Sequence, residues 1–207
     1  MKKLSLVVFI LLLISGKAFA QSTSKSFIVS ATVPKATSVG ININRVDAGS
    51  SQWTPVTSMS LSFDPLTLNP QFGTYLPNHY FVGDIAPIGG AADMSTTFDY
   101  LPGSTPAGQA KSLGDKTTIT FMKASGSGTD TQETALTSHG PKKTLKNVSG
   151  ETITGSETQS GWLRFYLGMV TKDPKAVFPD PEDSEPMTIA DMPGVYTETL
   201  RITTTIN

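Results

Sequence analysis

The chain has 207 residues, no cysteine, 14 prolines, 18 glycines and a formal net charge of −1. Without cysteine it has neither disulfides nor thiolate metal ligands, so a hydrophobic core of ordinary single-domain size must hold it together. A near-neutral charge with no basic run makes the chain a poor binder of nucleic acid.

Lys2 and Lys3 precede an apolar stretch from Leu4 to Ile14 that only Ser5 interrupts, and Ala18-Phe19-Ala20 places small residues at −3 and −1 of a cleavage point. This order predicts a signal peptide over 1–20. The apolar stretch is too short for a lasting membrane span, and no cysteine follows that a lipid could acylate. The expectation is an exported protein whose mature part begins at Gln21.

From there on Ser, Thr, Gly and Pro dominate, and short apolar stretches alternate with polar residues at period two. That is the pattern of antiparallel β structure. It predicts strands near 26–33, 39–46, 57–63, 79–85, 94–100, 117–123, 162–170 and 195–206. Each gathers its bulk on one face: Val39, Ile41 and Ile43; Met59, Leu61 and Phe63; Met94, Phe98 and Tyr100; Ile119 and Phe121; Leu163, Phe165, Leu167 and Met169. Seven or eight strands with one buried face each imply an all-β fold, a two-sheet antiparallel β-sandwich. The Ser/Gly/Thr-rich region Ser125–Gly140 reads as a loop, and Asp173–Pro193, rich in prolines and acids, as a loop or an edge segment.

The first strand of the mature part has two unlike faces. Phe27, Val29, Ala31 and Val33 lie on one; Ile28, Ser30 and Thr32 lie on the other; Pro34 then ends ladder hydrogen bonding. Periodicity alone leaves two readings open: a strand seeking a groove elsewhere, or the first strand of its own sandwich. At the other end Pro193-Gly194-Val195-Tyr196 turns into a strand on which Tyr196, Leu200, Ile202, Thr204 and Ile206 share a face.

Phe27-Ile28-Val29-Ser30-Ala31-Thr32-Val33-Pro34, Met59-Ser60-Leu61-Ser62-Phe63-Asp64-Pro65 and Pro193-Gly194-Val195-Tyr196-Thr197-Glu198-Thr199-Leu200 together resemble the chaperone–usher pilins. The likeness is to the cysteine-free colonization-factor (alpha, class 5) subunits and the archaic spore-coat-U-like pilins. Thr37-Ser38 stand where archaic pilins commonly carry a cysteine, and the chain is longer than typical major subunits. The resemblance implies an incomplete immunoglobulin-like sandwich over 36–207, preceded by a donor strand within 21–35. A periplasmic chaperone lends the missing strand, an outer-membrane usher guides export, and the donor strand of the next subunit replaces the chaperone's. The donor residues implied are Phe27, Val29, Ala31 and Val33; the acceptor groove implied is Leu200, Ile202 and Ile206. The partners expected are identical or related pilin subunits, the chaperone, the usher, and host or surface glycans.

Other chemistries find little to stand on. The two histidines, His79 and His139, fit no metal or catalytic spacing. Gly126-Ser127-Gly128 lacks the strand–turn–helix setting of a nucleophile elbow. Asp180-Pro181-Glu182-Asp183-Ser184-Glu185 lacks the ligand spacing of a calcium loop and reads as a solvated acidic segment. No enzyme, metal or cofactor is therefore expected. The competing reading is a carbohydrate-binding sandwich or tip adhesin, with Trp53, Trp162, Tyr75 and Tyr80 as a sugar platform. Exposed coplanar rings would favour that reading, and buried rings would favour packing.

Overall fold

The computed structural model describes residue 30 and residues 38–50, 52–88, 94–124, 137–154, 162–172 and 180–206. They belong, apart from residue 30, to the compact unit Val33–Asn207. This unit is all-β and antiparallel. Its strands are β1 (Ser38–Asp47), β2 (Trp53–Pro55), β3 (Leu66–Asn69), β4 (Thr74–Pro77), β5 (His79–Ile88), β6 (Met94–Pro102), β7 (Thr117–Ala124), β8 (Thr137–Thr144), β9 (Glu151–Thr154), β10 (Trp162–Met169), β11 (Met187–Thr188) and β12 (Glu198–Ile206). One helical turn, α1 (Leu113–Lys116), precedes β7, and a 3₁₀ turn, Leu145–Val148, follows β8.

The larger sheet has the order β2-β1-β5-β10-β7-β8, and a three-stranded sheet β12-β6-β9 packs on one of its faces. The packing is explicit at Phe98 of β6, whose ring centroid lies 4.7 Å from Phe121 and 5.7 Å from Phe165. Period two places Phe81, Ile85, Ile119, Phe121, Leu163, Phe165 and Leu167 on the inner face of the large sheet, all buried. Met94, Phe98 and Ile153 answer from the small sheet. The inward row of β6 also carries Thr96, whose buried hydroxyl bonds that of Thr204 on β12 at 3.1 Å.

The central strand β10 is buried on both faces. Its second face meets Val82, Val46 and Tyr80, and places Arg164 against Asp84. A third small sheet, β11-β4-β3, is built on the hairpin β3–β4. Asn69 and Gly73 flank its turn; the Asn69 side chain accepts from the Gln71 amide at 3.0 Å, and Gly73 takes the positive φ (63°) a side chain resists.

The strands expected at 39–46, 79–85, 94–100, 117–123, 162–170 and 195–206 appear at nearly those bounds. Two expectations need correction. Residues 57–63 form no strand: Met59 is fully exposed, while Leu61 and Phe63 pack against the core from irregular backbone. The Val56 amide still bonds the Ile43 carbonyl of β1 at 2.8 Å, and beyond it residues 57–63 enter no ladder with a described strand. The loop expected over Ser125–Gly140 gives way from Thr137 onward to β8, which pairs with β7; residues 125–136 lie outside the described residues. The strand expected at 26–33 lies outside the described residues.

Candidate functional site

The chemistry-bearing feature of this fold is an edge. β12 closes one side of the small sheet and pairs only with β6, from Glu198↔Pro102 to Ile206↔Met94. No described strand takes its other edge. Its start is fixed by backbone proximity: a side chain at Gly103 would meet the Thr197 carbonyl oxygen at 1.9 Å, so only glycine fits. The Gly103 amide donates to the Glu198 carboxylate at 2.7 Å, and the Thr197 amide to the Ser104 carbonyl at 2.9 Å.

From Glu198 onward β12 alternates strictly between half-buried and exposed residues. The half-buried row is Glu198, Leu200, Ile202, Thr204 and Ile206, and Leu200 and Ile202 touch the core. The exposed row carries Thr199, Arg201, Thr203 and Thr205, with Arg201 bonded to Asp99 at 2.9 Å. From Leu200 on, one side of the strand is thus mainly apolar and incompletely covered, and the other is polar.

β1 flanks the same side of the core from the opposite sheet. It pairs with β5 along its whole length, from Ser38↔Ile88 to Asp47↔His79. Its inward row is Val39, Ile41 and Ile43, since Ile41 sits opposite the fully buried Ile85. Yet Ile41 is 43 % exposed, and Val39 and Ile43 are only partly buried. An inward isoleucine left this open marks a seam where the sandwich lacks cover. Val56, Leu61 and Phe63 also pack against the core, and the His79 ring Nε2–H donates to the Ser62 carbonyl between the last two at 2.7 Å.

The two flanking strands run in opposite directions. Tyr100, opposite Leu200, bonds Ser112 at 3.2 Å beside α1, and β7 leads from α1 through Ile119↔Leu167 to Phe81↔Arg45. The Leu200 end of β12 therefore lies at the Asp47 end of β1, and Ile206 lies at the Ser38 end.

Of the residues singled out in the sequence, Leu200, Ile202 and Ile206 stand together on the β12 edge as a partly covered row. Phe27, Val29, Ala31 and Val33 lie outside the described residues. Sequence reasoning missed Val39, Ile41 and Ile43 as the facing wall of the seam; their apolar alternation was visible, but not that their edge would stay open.

The aromatic residues assemble no common platform. Trp162 is buried, and Trp53 and Trp162 stack on the Arg164 guanidinium at 4.6 and 5.1 Å. Tyr80 packs on Tyr166, while Tyr75 belongs to β4, opposite Leu68 and Met187. Arg164 and Asp84 form a two-bond pair at 2.7 and 2.9 Å, and burial pushes the Asp84 carboxyl up despite the guanidinium beside it. The described part of the acidic segment serves locally: Asp180 accepts the Thr171 amide at 3.2 Å. No group of three or more metal-ligating side chains occurs among the described residues.

No protein-family model, curated protein or solved structure matches the chain.

Proposed function

We propose that this chain is a structural subunit of a chaperone–usher surface pilus that polymerises by donor-strand exchange. The observation that carries the reading is the partly covered seam between β1 and β12, with Val39, Ile41 and Ile43 on one wall and Leu200, Ile202 and Ile206 on the other. An unpaired strand edge next to uncovered apolar side chains is a template for an added strand. The segment Phe27–Val33 supplies such a strand, with Phe27, Val29, Ala31 and Val33 directed into a neighbour's seam.

Burying one Phe and two Val at roughly 1.5–3 kcal/mol each gives on the order of 5–9 kcal/mol before the ordering cost. Donor and groove lie on different parts of the chain, so the contact is heterologous and does not close, which makes a filament. In this reading the protein is exported to the periplasm, held by a chaperone, passed through an outer-membrane usher and displayed on the cell surface. There it supports adhesion to host or surface glycans, or biofilm.

The test is an unheated SDS gel of surface-sheared material from wild type and Val29→Asp. The reading expects a ladder in the wild type that collapses on boiling and is missing from the variant, because a carboxylate in the seam is strongly disfavoured. A single monomer band in both, with the wild type stable and free of chaperone, would overturn it.

A further inference from the structure

A cavity of about 420 Å³ shares no lining residue with the seam. It lies between the connection that carries Gln109, the end of α1 at Lys116, and the segment 185–192 around β11. Its volume falls in the roughly 300–1,000 Å³ range of small-molecule sites.

The polar side of the cavity is locked by bonds of the fold itself. The buried Lys116 ammonium donates to the Pro186 carbonyl at 3.1 Å and to the Asp191 carboxylate at 2.9 Å. Asp191 also accepts from Gln109 Nε2 at 2.7 Å and from the Thr188 amide at 2.6 Å, while Gln109 Oε1 takes the Met192 amide at 2.9 Å. Each charged lining residue is matched: Lys116 faces Asp191, and Glu185 lies 3.3 Å from Lys111. One donor and one acceptor are left over. The second N–H of Gln109 Nε2 and the second carboxylate oxygen of Glu185 have no partner among the described residues. Pro186 and Met192 make the wall apolar, and Met192 is 45 % exposed.

We infer that this cavity binds a neutral hexose unit of a glycan. The inference deepens the glycan-adhesion part of the function proposed above and rests on that part, not on strand exchange. A charged ligand of either sign would meet only charges that are already paired, and would lose its hydration without a counter-ion. A wholly apolar ligand would strand the Gln109 N–H and the Glu185 oxygen. A sugar answers both: one hydroxyl accepts from Gln109, a neighbour donates to Glu185 in a charge-assisted bond, and a C–H face lies on Met192 and Pro186. The Trp53 and Trp162 rings stack on Arg164 instead, so the apolar contact falls to Met192. The bonds about Asp191 hold Gln109 in place before the ligand arrives, which keeps the ordering cost low.

The probes are the methyl glycosides of glucose, galactose, mannose, N-acetylglucosamine and N-acetylgalactosamine, each followed by saturation-transfer NMR on the purified protein. The expected result is a signal from at least one probe that disappears in Met192→Trp, which fills the cavity. In Glu185→Gln, which removes the charge from the hydroxyl's acceptor, affinity should fall about tenfold. Unchanged urea midpoints check that the variants fold; if Met192→Trp shifts its midpoint, Glu185→Gln alone decides. No signal from any probe with the wild type, or a signal that survives a folded variant at full strength, would overturn the inference. The unheated ladder is read on the same samples. A ladder without a sugar signal would remove the cavity assignment alone, and a sugar signal without a ladder would remove the pilus reading alone.

Discussion

Gly83 is a point where the core face of the large sheet depends on a missing side chain. It lies on β5 opposite Phe165, and a Cβ built there would sit 2.1 Å from Phe165 Cζ, with two more ring atoms at 2.2 and 2.8 Å. Phe165 is fully buried with Phe98 and Phe121 about it, so its ring has nowhere to retreat. Gly83→Ala should gain roughly 0.5–1 kcal/mol from the stiffer unfolded chain and lose about 1–3 kcal/mol or more to overpacking. The clash is deep enough that the upper part of that range applies, which leaves a net loss of about 2 kcal/mol. For a domain of this size that lowers Tm by about 4–8 °C. The assay is urea denaturation of wild type, Gly83→Ala, Phe165→Leu and the double variant, all in the same state of assembly. The smaller Leu makes room for the new methyl, so the double variant should recover at least ~1 kcal/mol relative to additivity. A Gly83→Ala protein as stable as wild type, or strictly additive effects, would refute the β5–β10 register and the core built on it.

Three further outcomes follow from the same structure. Arg164→Met should cost about 3–5 kcal/mol in urea denaturation because it strands the Asp84 carboxylate, whereas Arg164→Met with Asp84→Leu should be far milder. Asp191 feels burial upward, but Lys116, the Thr188 amide and Gln109 hold its carboxyl below the ordinary 3.8. Because the folded value is the depressed one, this stability is full above the ordinary value and is lost as pH falls through and below 3.8. Acid titration followed by fluorescence should therefore lose this part of its slope in Asp191→Asn. Ile202→Ala removes a half-covered wall of the seam, and should weaken the unheated ladder with only about 1–2 kcal/mol lost from the subunit itself in urea denaturation.

Six of the predicted strands were legible because their residues obey period two and meet a partner on both the ladder and the core. Val39–Ile43, Met94–Tyr100 and Leu163–Met169 are of this kind. The misreading of 57–63 shows what the period does not carry. Met59, Leu61 and Phe63 alternate as a strand would, but after the Val56–Ile43 bond the stretch joins no described ladder, and only two of the three reach the core. The short strands β2, β3, β4, β9 and β11 have two to four residues each, too few for an alternation to register, and tertiary pairing alone defines them. The β12 row was readable from its alternation to Ile206. Its openness was not, because exposure of Ile41 and Leu200 depends on which strands fail to pair, and that is a property of topology.

The central claim is that residues Phe27 to Val33 of one copy enter the seam of another. The most direct measurement is cysteine pairing between mixed copies, Val29→Cys in one and Leu200→Cys, Ile202→Cys or Ile206→Cys in the other, with the outward-facing Thr203→Cys as control. Side chains opposite each other on paired strands are close enough for a disulfide, and those on the far face are not. Donor-strand exchange predicts a linked dimer with at least one inward position and none with Thr203→Cys. No link at any inward position, or equal linking to Thr203→Cys, would contradict it.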